Sequence, residues 1–195
     1  MELEDWQPVF AARQARYQAA LNTPVLTPSA PAPQGSGPER AQALALGTLV
    51  HKALELYLAD ESRSLPRALN RAFALEQADE SLRQQATQLA QSFVQSKTFA
   101  PFLQAQLLAC EMPFSLVAEN GQVVSGEIDA VAKTPQGLWI ADYKTDRLEG
   151  ETPAQAAEKY RAQLDVYRQA AQKIFGVKNV RCSVFFVREF AAVDL

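Results

Sequence analysis

The chain has 195 residues, 48% apolar and 21% charged, a composition that can build a core and fits one globular domain. Its net charge of −3 and pI near 5.3 argue against a nucleic-acid binder held by charge alone, although Gly121–Leu195 is neutral, with ten basic and ten acidic residues. No apolar run is long enough for a membrane span, the acidic Met1–Asp5 stretch lacks an apolar core so no secretory signal is expected, two cysteines (Cys110, Cys182) cannot fill a four-cysteine metal site, and the single histidine, His51, excludes two-imidazole chemistry, so a reducing, cytoplasmic setting is expected.

Residues 1–21 are predicted as a short amphipathic helix carrying Trp6, Phe10, Tyr17 and Leu21. Residues 22–38 hold five of the eleven prolines plus Gly35-Ser36-Gly37 and are predicted as a linker. The compact domain is expected over 39–195. From Glu39 to about Asp60, Leu44, Leu46, Val50, Ala53, Leu54 and Leu58 recur at helical spacing. Pro66 suits the first turn of a second helix, Ser81 to Thr98 reads as a third, and Pro101 is expected to close this helical half. The period then becomes two: strands are predicted over 107–117, 122–133 and 138–145, joined by turns at Glu119-Asn120-Gly121 and Thr134-Pro135-Gln136-Gly137. Pro153 opens one long predicted helix to Phe175, with Gly176 as its C-cap, and 180–188 is a last strand. The order predicts an α/β (α+β) fold, a mixed sheet flanked by helices with a helical N-terminal half.

The third hairpin strand carries the chemistry. A loop symmetric about Pro135-Gln136 sets Thr134 opposite Gly137, and the same register carried back sets Asp129 opposite Asp142, Cβ atoms about 5 Å apart. Facing carboxylates repel, one would have a raised pKa, and a divalent cation between them removes the penalty; hard oxygen ligands suit Mg²⁺ or Mn²⁺. Lys144, two residues after Asp142, projects from the same face, where its ammonium would stabilise developing negative charge. Metal-assisted phosphodiester hydrolysis uses such a set; a surface cluster of Asp, Asp and Lys is the competing reading.

Gly126-Glu127-Ile128-Asp129 followed by Asp142-Tyr143-Lys144-Thr145 resembles the RecB-like branch of the PD-(D/E)xK nuclease superfamily. Gly47-Thr48-Leu49-Val50-His51 resembles the branch's histidine helix, Glu111-Met112-Pro113-Phe114 its Glu-x-x-Phe strand, and Gln163-Leu164-Asp165-Val166-Tyr167 its Gln-x-x-x-Tyr helix. The resemblance covers 39–195 and implies a restriction-endonuclease-like core. It implies that His51, Asp129, Asp142 and the Tyr143 backbone carbonyl ligate Mg²⁺ or Mn²⁺, that Lys144 positions or activates water, and that products carry 5′-phosphates. Gln163, Tyr167 and Glu111 would support the site or contact DNA. Glu55, one turn after His51, is a candidate to orient the imidazole, though a solvated role competes; Arg147, Lys159, Arg161 and Arg168 are candidate phosphate contacts with the same competitor.

Some RecB-like relatives carry a four-cysteine iron–sulfur staple, which this chain's two cysteines cannot form; the resemblance, with this departure, therefore implies no cluster and a likeness to the C-terminal nuclease domains of AddA/RecB helicase–nucleases. That type implies a helicase motor N-terminal to this region, tethered through the proline-rich run. It also implies a second helicase–nuclease subunit, the pair working on DNA ends or single strands in double-strand-break repair. No Gly-x-x-x-x-Gly-Lys-Ser/Thr motif occurs, so this chain is expected to bind no nucleotide. Exonuclease action is expected over endonuclease action. Rival readings are a self-standing RecB-like exonuclease and an inactive nuclease fold that binds DNA or a partner protein.

Overall fold

The computed structural model describes residues 37–117 and 121–195 and the backbone of Val25–Leu26. The helix predicted over 1–21 and the centre of the turn at Glu119-Asn120 lie outside the described residues. In chain order the elements are β1 (Val25–Leu26), α1 (Pro38–Ala59), α2 (Leu65–Leu75), α3 (Glu80–Val94), α4 (Ala100–Gln104), β2 (Gln106–Val117), β3 (Val123–Thr134), β4 (Gly137–Lys144), α5 (Pro153–Ala157), α6 (Arg161–Phe175), β5 (Val180–Phe186) and β6 (Ala191–Asp194).

Four differences from the sequence expectations have local causes. The predicted linker contributes β1, which pairs in parallel with Val123–Val124. Pro101 does not end the helical half; it lies in the first turn of α4, where a missing N–H costs nothing. The helix predicted from Pro153 is broken by a 3₁₀ turn, Glu158–Tyr160, between α5 and α6. β6 went unpredicted because four residues are too short to show a period.

β3 is the hub of the mixed sheet. It pairs antiparallel with β2 along its whole length and antiparallel with β4 near the hairpin. β4 then runs parallel to β5, joined by the α5–α6 crossover, and β5 pairs antiparallel with β6. Helices α1 to α4 cover one face, over Ala130, Ala132, Trp139, Ala141 and Tyr143. Helices α5 and α6 cover the other, over Val131, Leu138, Ile140, Cys182 and Val184. β4 is thus buried on both faces, which explains why its sequence, Leu-Trp-Ile-Ala, runs apolar without alternation. On the α1 side Phe93, Phe99, Phe102, Tyr143 and Phe185 stack or meet edge to face at centroid separations of 4.5 to 6.2 Å. Burial of each such ring contributes about 1.5–3 kcal/mol and makes the end of β4 rigid.

The β2–β3 ribbon changes sides partway along. Cys110 and its partner Ala130 pack with α1–α4, whereas Met112 and its partner Ile128, two residues away on each strand, pack with α6. Residues two apart in a regular strand share a face, so the ribbon rolls over between them. Glu111, in the left-handed region at φ 45°, marks the roll, and Asp129 lies at the corresponding place on β3.

The β3–β4 turn depends on a close approach. Gly137 has φ 146°, and a Cβ there would lie 2.2 Å from the Asn179 carbonyl oxygen, which accepts the Leu138 N–H at 3.0 Å. Gly137→Ala is therefore expected to destabilise the fold by about 2–4 kcal/mol in equilibrium denaturation; an unchanged midpoint would contradict this packing.

Candidate active site

The hairpin register holds from Thr134–Gly137 through Ala130–Ala141 and stops there. The predicted Asp129–Asp142 ladder pair is one step further and is not made, because β3 and β4 part at this point. A parting strand leaves a backbone N–H to be satisfied. The Tyr143 N–H donates instead to Asp129 Oδ2 at 2.7 Å, so a side chain closes the fork.

His51 reaches the fork from α1. The helix lies tight against the end of β4 at Gly47, where a Cβ would sit 2.9 Å from Thr145 Oγ1. One turn later the imidazole meets the Tyr143 ring edge to face at 5.8 Å, and its Nδ1 lies 3.6 Å from Asp129 Oδ2. That separation is too long for a hydrogen bond, and it leaves donor atoms of both residues turned to a common space. Glu111 joins them from the roll in β2: one ligand atom each of His51, Glu111 and Asp129 lie within 4.8 Å of one another. Asp142 is outside that triplet. The set brought together is thus His51, Asp129 and Glu111, with Asp142 and Lys144 alongside. A histidine nitrogen and carboxylate oxygens at such spacing fit a divalent transition ion or Mg²⁺.

Asp142 and Lys144 project together, as their two-residue spacing predicts, with Nζ 2.7 Å from Asp142 Oδ2. Asp142 is 1% exposed, and that oxygen has no hydrogen-bond partner in good geometry besides this ionic contact. Burial pushes the Asp142 carboxyl up to about 6; the Lys144 charge opposes the shift and the Asp129 charge adds to it. Burial works against the Lys144 ammonium, but Asp142 and Asp129 outweigh it and hold its pKa above the ordinary lysine value. Glu111, half-buried, is pushed up to about 7 by burial and then by the charges of Asp129, Glu127 and Glu55, with Lys52 opposing. Carboxylates held this way favour a bound cation.

Gln163 and Tyr167 sit one turn apart on α6, and Gln163 Nε2 donates to the Tyr167 hydroxyl at 2.8 Å. Tyr167 meets Phe114 edge to face, and burial, followed by the Asp142 and Asp129 charges, raises the pKa of its hydroxyl. Glu55 does not orient His51; it pairs with Lys52. Among the candidate phosphate contacts, Lys159, Arg161 and Arg168 are held by Glu151, Glu158 and Asp165. These are local surface pairs, as the solvated reading expects. The site opens into a cleft of about 500 Å³ bounded by Leu44, Thr48, His51, Glu111 and Lys144. Periodicity alone could not have found Glu111's position, since the roll breaks the strand alternation.

Glu111 and Asp142 have folded-state pKa values above their ordinary ones of 4.5 and 3.8. Their stabilising contribution is therefore complete below about pH 4 and is lost as pH rises through 6 to 7. In chelator, Glu111→Gln is expected to melt about 2–4 °C above the unsubstituted chain at pH 8 and level with it at pH 4. A lower melting temperature at both pH values would show that the carboxylate stabilises the fold instead.

The sequence profile of the PD-(D/E)XK nuclease superfamily matches residues 12–193. Among curated proteins, an ATP-dependent helicase/nuclease subunit from Carboxydothermus hydrogenoformans is 30% identical over 97 residues, 44% of this chain and 8% of that protein. Its counterpart from Streptococcus sanguinis is 27% identical over 150 residues, 69% of this chain and 11% of that protein. The one from Desulforudis audaxviator is 41% identical over 56 residues, 29% of this chain and 5% of that protein. The chain thus spans only a small fraction of the length of the curated relatives it matches. With a match over nearly its whole length and a mixed sheet carrying the acidic fork, the chain belongs to the PD-(D/E)XK nuclease superfamily.

Proposed function

We propose that the chain is a metal-dependent deoxyribonuclease module that hydrolyses phosphodiester bonds to leave 5′-phosphates, working on DNA ends or single strands as an exonuclease. The observation that carries the reading is the convergence of His51, Glu111 and Asp129 within 4.8 Å, beside the buried Asp142–Lys144 pair. The proposed ligands of Mg²⁺ or Mn²⁺ are His51, Asp129, Asp142 and the Tyr143 backbone carbonyl, with Glu111 on the same space. The bound ion supplies Lewis acidity at the phosphate and a more acidic water.

The side chains supply the rest. Asp129, fixed by the Tyr143 N–H, and Asp142, fixed by burial, hold their carboxylates in place without reorganisation. Lys144 keeps its proton, so it serves as a donor that orients water and stabilises charge on the phosphate oxygens rather than as a general base. Water oxygen bonds to phosphorus as the bond from phosphorus to the 3′ oxygen breaks; the water gives up a proton to solvent and the leaving 3′ oxygen takes one from solvent, giving a 5′-phosphate and a 3′-hydroxyl. The Gln163–Tyr167 pair supports this arrangement from α6. Likeness to ATP-dependent helicase/nuclease proteins supports a place as the nuclease module of an AddA/RecB-type enzyme in break repair, working with a helicase motor and a second subunit; the domain boundary near residue 39 rests on the proline-rich composition of 22–38 alone.

Cleavage of end-labelled single- and double-stranded DNA with Mg²⁺ or Mn²⁺ tests the reading. Asp142→Asn and Lys144→Ala are each expected to lower the rate by about 10²-fold or more while circular dichroism is unchanged. Unaltered cleavage by either variant refutes the assigned site, and DNA binding without metal-dependent cleavage by the unsubstituted chain identifies a binding module. Saturating divalent ion at about a hundred times its Kd is expected to add about 2.7 kcal/mol of stability, an effect absent from a Glu111→Ala, Asp129→Ala double variant.

A further inference from the structure

We propose that Tyr160 is a positioning residue for Lys144, its ring forming a fixed wall against which the ammonium is held toward Asp142. The inference rests on the nuclease reading for its catalytic consequence but on geometry for the contact itself. Lys144 Nζ lies 4.7 Å from the Tyr160 ring centroid and 2.7 Å from Asp142 Oδ2. An ammonium within about 6 Å of a ring face is attracted by the ring quadrupole, more strongly where water is excluded. Both groups are sheltered: the Lys144 side chain is 12% exposed and Tyr160 is 6% exposed.

The fold goes out of its way to present this ring. Tyr160 is the last residue of the 3₁₀ turn that interrupts the predicted single helix, and the tighter winding of that turn departs from the α-helical period the sequence predicts. Its ring packs against Phe186 at 6.3 Å, and its hydroxyl donates to Asp146 Oδ2 at 3.4 Å. Asp142, Lys144 and Asp146 follow one another at two-residue intervals, so Tyr160 bridges the last two of three charged residues from one strand end. A flexible four-carbon lysine, which would otherwise sample many rotamers, is thereby confined between a carboxylate and a ring.

Tyr160→Phe and Tyr160→Leu, with Tyr160→Met in reserve should the leucine variant not fold, separate ring from bulk. In the metal-free full chain with ¹³C-labelled lysine, the Lys144 ε-methylene resonance, assigned by its loss in Lys144→Arg, is expected to lie upfield from the ring current. The shift should persist in the phenylalanine variant and vanish in the leucine or methionine variant. With Mn²⁺, kcat is expected to fall roughly tenfold in the variants without a ring, with KM within about twofold of the unsubstituted value, and to stay within about twofold in Tyr160→Phe. A Lys144 resonance with no ring-current shift, or a ringless variant with full kcat, overturns the proposal. A phenylalanine variant as slow as the leucine variant also overturns it, since the hydroxyl and not the ring would then matter. If the unsubstituted chain cleaves no DNA, the nuclease reading fails, while presence of the shift and its loss in the ringless variants still support Tyr160 as the holder of Lys144.

Discussion

The site depends on one hydrogen bond at the point where two strands part. β3 and β4 cannot continue as a ladder beyond Ala130–Ala141, and the Tyr143 N–H released there is taken by the Asp129 carboxylate. An unpaired N–H in so buried a place would be costly. That carboxylate thereby closes the fork, and the hydrogen bond fixes its orientation next to His51 and Glu111. Tyr143 is held in turn by the aromatic cluster beneath β4, so the backbone atom that fixes Asp129 is itself fixed by packing.

Around that fork the fold concentrates like charge. Glu111 is swung in by the roll of the β2–β3 ribbon, and Asp142 is buried from the α6 side. The costs are visible as carboxyl groups pushed up to about 7 and about 6. Two cationic partners only partly offset them, Lys144 on Asp142 and Lys52 at a distance from Glu111. Strain points to the same place, since a non-glycine residue at φ 45° inside a strand costs of the order of 1–3 kcal/mol and such outliers cluster at functional sites. A divalent cation held among these carboxylates would offset their mutual repulsion.

Much of this was legible in the sequence, for definable reasons. Long amphipathic helices and the strands beside a Pro-Gln turn have strong periodic signals, and the hairpin register followed from the turn alone through five pairs. The i, i+2 relation of Asp142 to Lys144 is a property of any strand, so their contact followed as well. What could not be read were departures from regularity: the fork that cancels the sixth pair, the left-handed Glu111 that reverses the facing of the ribbon, and the 3₁₀ turn that delivers Tyr160. Each is a tertiary compromise in which packing overrides the local period. Glu55 illustrates the same limit on a small scale: helical spacing allows it either Lys52 or His51, and only the three-dimensional neighbourhood selects Lys52.

Because the chain contains a single histidine, coordination by it can be observed without ambiguity. Pulsed electron paramagnetic resonance of Mn²⁺ titrated into the full chain should show nitrogen coupling typical of a bound imidazole, and His51→Gln should abolish it. Stoichiometric Mn²⁺ binding with no imidazole coupling, or a coupling retained by His51→Gln, would contradict a centre formed at the fork.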